Sequence, residues 1–342
     1  MPMRLTKVIL SGFFATALCG GAFAQQVVTL RMGTHNAVTE PGVTEDAAVF
    51  IKEVERLSKG SIKIDFYPGE QAGKANQMFN LVKSGAVDIG NMSTGYTSGE
   101  QLPLVGTWEI PGLAQKSCDI VKAMQKLGEP GGLIYEKNFK PNNLRMLIFA
   151  PYPPYGPSAS RTKISKIEDL KGLKIRSAGG LMDISVQKVG GTAVKMTAPE
   201  LYEGLQRGTL DTVFLSYLSV KGLGLAPVGK YGATGFSFGQ PGDMFGISEE
   251  RFNSLSKEHQ QVLVEAGRTT SLHWCEYVDN TESKAMADTK AAGTEIHTWT
   301  PEEVAKLRAL TADVPAEWAK KVSDRGLPGN EVLEQFRKLV SQ

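Results

Sequence analysis

Residues 28–92 read VTLRMGTHNAVTEPGVTEDAAVFIKEVERLSKGSIKIDFYPGEQAGKANQMFNLVKSGAVDIGNM, and two hydrophobic periodicities alternate within them. Val28 to Met32 reads as a strand. Val43, Ala47, Phe50, Ile51, Val54 and Leu57 then recur at helical spacing, and Lys59-Gly60 closes that helix with a basic last turn and a terminal glycine. Ile62 to Tyr67 is a second strand, stopped by Pro68-Gly69. Met78, Leu81 and Val82 mark a helix from about Lys74 to Ser84, and Val87 to Met92 is a third strand. This βαβαβ order predicts a parallel sheet with right-handed crossovers, the unit of an α/β fold.

A second unit of the same kind occupies the middle of the chain. Leu144 to Ala150 and Lys174 to Ser177 read as strands, Leu181 to Val189 as a helix, and Thr192 to Met196 as a strand. Thr197-Ala198-Pro199-Glu200 supplies a capping box for a helix running to Arg207, and Thr209 to Leu215 follows as a strand. Between the units, Pro151-Tyr152-Pro153-Pro154-Tyr155-Gly156-Pro157 suits no helix or central strand and reads as a loop or interdomain crossing. The last third reads as mostly helical: one helix around Leu255 to Ala266, a long amphipathic stretch from Ser271 to Ala291, and a third helix capped by Thr300-Pro301-Glu302-Glu303 that Pro315 should kink or end.

The chain has 342 residues, 41% hydrophobic and 22% charged, which argues against disordered, collagen-like and coiled-coil classes. A single core stops growing near about 250 to 300 residues, so two domains with a cleft between them are expected. The start, with Arg4 and Lys7, an apolar run of about 11 residues from Val8 to Leu18, and Ala22-Phe23-Ala24, reads as a signal peptide over residues 1–24. That run is shorter than the about 20 residues of a membrane span. Without the segment, 36 basic residues face 36 acidic ones, and nucleic-acid binding loses its electrostatic support. Cys19 leaves with the signal; Cys118 and Cys275 fit either a disulfide in an oxidising compartment or two buried thiols.

Enzyme templates fail. There is no G-x-S-x-G, H-E-x-x-H or P-loop, and Met32-Gly33-Thr34-His35 stands where a dinucleotide-binding turn would be. His35, His259, His273 and His297 are scattered, so neither a metal site nor a cofactor is expected, and His259 reads as a structural residue in an apolar helix. A binding cleft needs less: a fixed charge or two and a rigid apolar wall. Candidates stand at strand ends, where open α/β sheets place ligands. They are His35 and Asn36 after the first strand, Ser93, Thr94 and Tyr96 after the third, Trp108 in the following connection, and Arg176 at the end of Leu173-Lys174-Ile175-Arg176. The planar fork of an arginine suits a carboxylate, because it donates two parallel hydrogen bonds.

Four blocks, in order, resemble the solute-binding proteins of TRAP transporters, the DctP family. Lys59-Gly60-Ser61-Ile62-Lys63-Ile64 leading to Tyr67-Pro68-Gly69-Glu70-Gln71-Ala72-Gly73 is similar to its "G-x-I…YP-x-x-QLG" stretch. Lys83-Ser84-Gly85-Ala86-Val87-Asp88 resembles "G-x-(V/L)-D", and Asp169-Leu170-Lys171-Gly172-Leu173-Lys174-Ile175-Arg176 resembles "DLKGLKIR". Glu200-Leu201-Tyr202 with Leu205-Gln206-Arg207-Gly208-Thr209-Leu210-Asp211 resembles "EVY-x-ALQ-x-G-x-(V/I)-D". The resemblance implies a two-lobed, periplasmic-binding-protein-like (type II) α/β fold with an interlobe cleft and long spanning C-terminal helices. It implies lobe I over 25–150 plus about 237–275, lobe II over 151–236 plus part of the C-terminal helical region, and spanning helices over 276–342. It also implies a periplasmic, non-catalytic receptor, monomeric and not membrane-spanning, that hands a small organic acid to TRAP permease subunits. Arg176 matches the family's carboxylate-clamping arginine, and Arg161 a structural one.

Departures from the family pattern bear on the ligand. Leu215 falls near the asparagine of an "E-N" pair that sugar-acid binders carry, Tyr155 falls near a second arginine of sialic-acid binders, and His35 falls where relatives have asparagine. With Phe149, Tyr152, Phe214 and Tyr217 these residues suggest that groups reading sugar hydroxyls have given way to apolar ones, although the same aromatics would also suit interlobe core. The expected ligand is an aromatic or branched 2-oxo or 2-hydroxy acid held by Arg176, His35, Asn36, Ser93, Trp108, Tyr155, Phe214, Leu215 and Tyr217. Two rival readings are a binding protein for an ABC importer or sensor kinase, and an exported enzyme.

Overall fold

The computed structural model describes residues 27–341, so the signal reading over 1–24 lies outside the described residues. Eleven strands among these residues form two sheets. They are β1 Val28–Gly33, β2 Ile62–Tyr67, β3 Ile89–Asn91, β4 Leu144–Pro151, β5 Gly156–Ser160, β6 Lys174–Ser177, β7 Thr192–Lys195, β8 Thr212–Leu215, β9 Tyr231–Thr234, β10 Gly242–Ser248 and β11 Glu295–Thr298. The first sheet has the order β2-β1-β3-β10-β4 and the second β11-β9-β5-β8-β6-β7.

The βαβαβ reading holds: β1 lies parallel to both β2 and β3, with Val28 opposite Ile62 and Met32 opposite Ile89. The helix Ala48–Ser58 buries Phe50 and Val54, one turn apart, and ends where Lys59 takes φ 51° and Gly60 φ 79°. A wholly parallel sheet, however, is not what forms. β10 inserts antiparallel between β3 and β4, and β5 runs antiparallel to β8 and β9, so both sheets are mixed. β4, read with the second unit, belongs to the first sheet. The last third of the chain is also less helical than expected, because it supplies β9, β10 and β11.

The proline-rich stretch is the crossing from β4 to β5, with one correction. Pro157 lies inside β5, a central strand, where the register slips between Pro157 and Ala159; a bulge accommodates the missing N–H. A second crossing returns from β9 to β10 alongside it. The two are hydrogen-bonded to each other, Tyr155 N–H to Gly239 O at 2.9 Å, Phe238 N–H to Tyr155 O at 2.9 Å and Tyr152 N–H to Pro241 O at 3.0 Å.

The two helices expected between Leu255 and Ala291 are one, Lys257–Ala291, of 35 residues and thus about 52 Å long. Gly267 does not stop it. A Cβ there would sit 2.1 Å from Leu147 O, so the glycine lets the helix axis press against β4. Further along, Trp274 Nε1 donates to Pro151 O at 2.7 Å, and the Glu282 carboxylate accepts from Tyr217 N at 2.8 Å and Leu218 N at 2.9 Å at the start of the helix Tyr217–Gly222. The long helix therefore touches the first sheet, the crossing and a helix of the second unit. Cys118 and Cys275 form a disulfide that staples the helix Ser117–Leu127 to it. As expected, Pro315 interrupts the C-terminal pattern: one helix ends at Leu310 and the next, Val314–Ser323, takes the proline in its first turn.

Candidate ligand-binding site

The crossings and the strand ends surround a pocket between the two sheets, with a cavity volume of about 40 Å³. The first sheet contributes His35 and Asn36 just beyond β1, Ser93 and Tyr96 beyond β3, and Asp243 in β10. The second contributes Arg176 from β6 and Leu215 at the end of β8; the crossing contributes Tyr152 and Tyr155. Of the residues singled out from the sequence, His35, Asn36, Ser93, Tyr96, Tyr152, Tyr155, Arg176 and Leu215 converge here.

Arg176 is 2% exposed. Its Nε donates to Met196 O at 3.0 Å and one terminal nitrogen approaches the Tyr96 hydroxyl at 3.5 Å; no carboxylate pairs with it among the described residues. A buried, unpaired guanidinium is costly unless an anion arrives. The Tyr96 hydroxyl is fixed in turn by Ala198 N–H at 2.9 Å, which sets one wall of the pocket beside the arginine.

His35 lies edge-on to Tyr96, ring centroids 5.7 Å apart, and its buried Nδ1 has no partner among the described residues. Burial lowers its pKa and favours the neutral ring, although the Asp243 and Glu70 charges oppose this. Tyr152 and Tyr155 are held as phenols, their pKa values pushed up chiefly by burial. Glu40, on the same side, is likewise raised by burial, and Asp46, buried with neither carboxyl oxygen bonded, is raised well above the usual range.

Trp108, Phe214 and Tyr217 do not line the pocket. Trp108 is core, edge-on to Phe149 at 6.2 Å; Phe214 packs on Phe238 at 4.6 Å; the Tyr217 hydroxyl donates to Ala233 O at 3.2 Å. Strand alternation separates the neighbours Phe214 and Leu215: only the latter lines the pocket. Arg161 is also outside, against Gly208, where a Cβ would meet its Nη1 at 2.4 Å. His259 is a buried structural residue, with Nε2 2.9 Å from Ser61 Oγ. Sequence reasoning missed Asp243, Ser219 and Glu40, which give the wall more hydroxyl-reading groups than the apolar substitutions suggested. The only local sign of Asp243 is an acid at the head of the apolar run Met244-Phe245-Gly246-Ile247.

Residues 33–321 match the bacterial extracellular solute-binding proteins, family 7, known as DctP. The chain belongs to the DctP family. Members are TRAP solute receptors rather than enzymes. This DctP protein is 28% identical over 225 residues to a solute-binding protein of Albidiferax ferrireducens, 64% of each chain, so about a third of that relative is unmatched. It is 24% identical over 298 residues to the 2,3-diketo-L-gulonate-binding periplasmic protein of Escherichia coli, covering 86% of this chain and 89% of that one. Its fold matches a marine metagenome TRAP solute-binding protein specific for aromatic acids, solved with 3-hydroxybenzoate, at TM-score 0.83 and 22% identity, covering 92% and 98% of the two chains. Among the described residues of the DctP protein no helix is long and apolar enough to cross a membrane.

Proposed function

We propose that this DctP protein is the periplasmic receptor of a TRAP transporter and binds a small monocarboxylate between its two sheets, with Arg176 fixing the carboxylate. One observation carries the reading: a guanidinium 2% exposed, unpaired with any carboxylate among the described residues, in a pocket walled by both sheets. Tyr96, Tyr152, Tyr155, Leu215 and Leu218 give the wall aromatic and aliphatic surface suited to a largely hydrocarbon body, and the expected class is an aromatic or branched 2-oxo or 2-hydroxy acid. The aromatic-acid specificity of the metagenomic protein supports this class; the sugar-acid relative in Escherichia coli is the alternative that Leu215 and Tyr155 disfavour. A ligand touching both sheets stabilises the closed arrangement, because only differential affinity for closed over open shifts that equilibrium. The closed receptor then docks on the membrane subunits, after export through the signal at 1–24.

Mass spectrometry of small molecules released from the purified protein, followed by a thermal-shift screen of organic acids, tests the proposal. Saturation at about 100 times Kd adds about 2.7 kcal/mol to stability. Monocarboxylate hits are the expected result; hits confined to neutral sugars, cations or metals would refute it.

A further inference from the structure

The pocket contains two buried, opposite charges that the fold keeps from pairing. Asp243 is 2% exposed, and its Oδ2 accepts from Asn91 Nδ2 at 2.9 Å, Asn36 Nδ2 at 3.0 Å and the Tyr152 hydroxyl at 3.3 Å. Its Oδ1 accepts from no described side chain or backbone N–H, while the residue lines the pocket. Arg176 is tied back by Met196 O. The two groups make no ion pair, and both charges act on His35, Tyr96 and Tyr155, which stand in the field of each. Charges as buried as these attract strongly, so anchoring them apart leaves a gap that something else must bridge.

We propose that the preferred ligand is bipolar: its carboxylate meets Arg176, and an O–H or N–H donor, hydroxyl or ammonium, meets Asp243 Oδ1. This rests on the receptor reading above and narrows it. No described residue supplies that donor. Arg176 is the one cationic side chain on the wall among the described residues, His35 makes no hydrogen bond to Asp243, and the nearby Glu40 and Asp46 are themselves acids. A 2-oxo group offers only lone pairs to a carboxylate oxygen, whereas a 2-hydroxy or 2-amino group offers a proton. A plain hydrocarbon acid leaves Oδ1 stripped of water and unbonded.

Two matched series read this by calorimetry on the wild-type protein: phenylpropanoate, phenyllactate, phenylpyruvate and phenylalanine; and benzoate, 3-hydroxybenzoate and 3-(aminomethyl)benzoate. The expected result is a donor-bearing member binding at least about tenfold tighter than its donor-free parent in one series, and tighter than the oxo acid where that series contains one. The hydroxyl and amino members against each other tell which donor is native. Asp243→Asn can keep its oxygen toward the three donors and turn its NH2 into the pocket, so it should reverse the order in favour of the oxo acid. Parents binding as tightly as donor-bearing members in both series would overturn the proposal, as would a folded Asp243→Asn with unchanged ratios. Should that variant fail to fold, the wild-type ratios decide alone. Acids that bind without donor preference, yet depend on Arg176, sink this inference and leave the receptor reading standing; no acid binding at all sinks both.

Discussion

Replacing Glu109 by glutamine should make the protein more stable at neutral pH and leave it unchanged near pH 4.5. Glu109 is fully buried, accepts from Ser98 Oγ at 3.0 Å and from Leu181 N at 3.1 Å, and so caps the helix Leu181–Lys188 from outside that helix. The helix has no side-chain cap of its own, because Gly180 precedes it at φ 61°. Burial is the main reason that the Glu109 pKa rises from 4.5 to about 7, against the pull of Ser98 and Leu181. Its folded-state value is thus above the unfolded one. Between these values the unfolded chain has lost the proton while the folded chain keeps it, so the stability contributed by the neutral carboxyl is complete below pH 4.5 and is lost as pH rises through about 7. At 1.36 kcal/mol per pH unit the interval is worth about 3 kcal/mol. Glutamine can place its oxygen on Leu181 N–H and its NH2 on Ser98 Oγ without ionising. Urea midpoints of the two proteins at pH 4.5, 6 and 7.5 should coincide at the lowest pH and diverge by about 3 kcal/mol at the highest. A gap independent of pH, or one that closes as pH rises, would refute the reasoning.

Other outcomes follow from the same geometry. Gly267→Ala places a Cβ 2.1 Å from Leu147 O, a backbone atom that cannot rotate away. Overpacking of about 1–3 kcal/mol outweighs the gain in helix propensity of up to about 1 kcal/mol, so the urea midpoint should fall; a rise would contradict the packing described. Reducing Cys118–Cys275, which spans 157 residues, should lower stability by up to about 5 kcal/mol on chain-entropy grounds, read as a drop in melting temperature with reductant that Cys118→Ala/Cys275→Ala reproduces. Tyr152→Phe removes one of three donors to Asp243 and should cost about 1 kcal/mol in an unfolding titration; a neutral result would mean that the 3.3 Å contact contributes nothing.

Local signals made much of this fold legible, and non-local ones hid the rest. The helix Ala48–Ser58, the Thr197–Glu200 and Thr300–Glu303 capping boxes and the strand Lys174–Ser177 depend on neighbours a few residues away, and each forms where the sequence places it. β10 has no such mark. Gly242–Ser248 is buried along its whole length, without alternation, and is a strand because β3 and β4 bond it on either side. Gly267 looks like a helix stop until Leu147 is seen against it. The pocket divides in the same way. Arg176 was legible from its motif, and Leu215 from its place near the family's asparagine. Phe214 was misplaced because a strand residue serves cleft or core according to which face it takes, and Trp108 and Tyr217 because each stands in a short helix that turns its ring into the core. Asp243 was missed because its partners Asn36 and Asn91 lie 207 and 152 residues away.

The claim that matters most is that Arg176 fixes a carboxylate. Two charge-assisted hydrogen bonds, lost together from a buried site, are worth about 3–5 kcal/mol, or about a hundredfold to a few thousandfold in affinity. Calorimetric titration of wild type and Arg176→Ala with the acid recovered from the purified protein measures this directly, with circular dichroism confirming that the variant is folded. The account predicts a loss of that size. A folded Arg176→Ala that binds the acid within about threefold of wild type would contradict it.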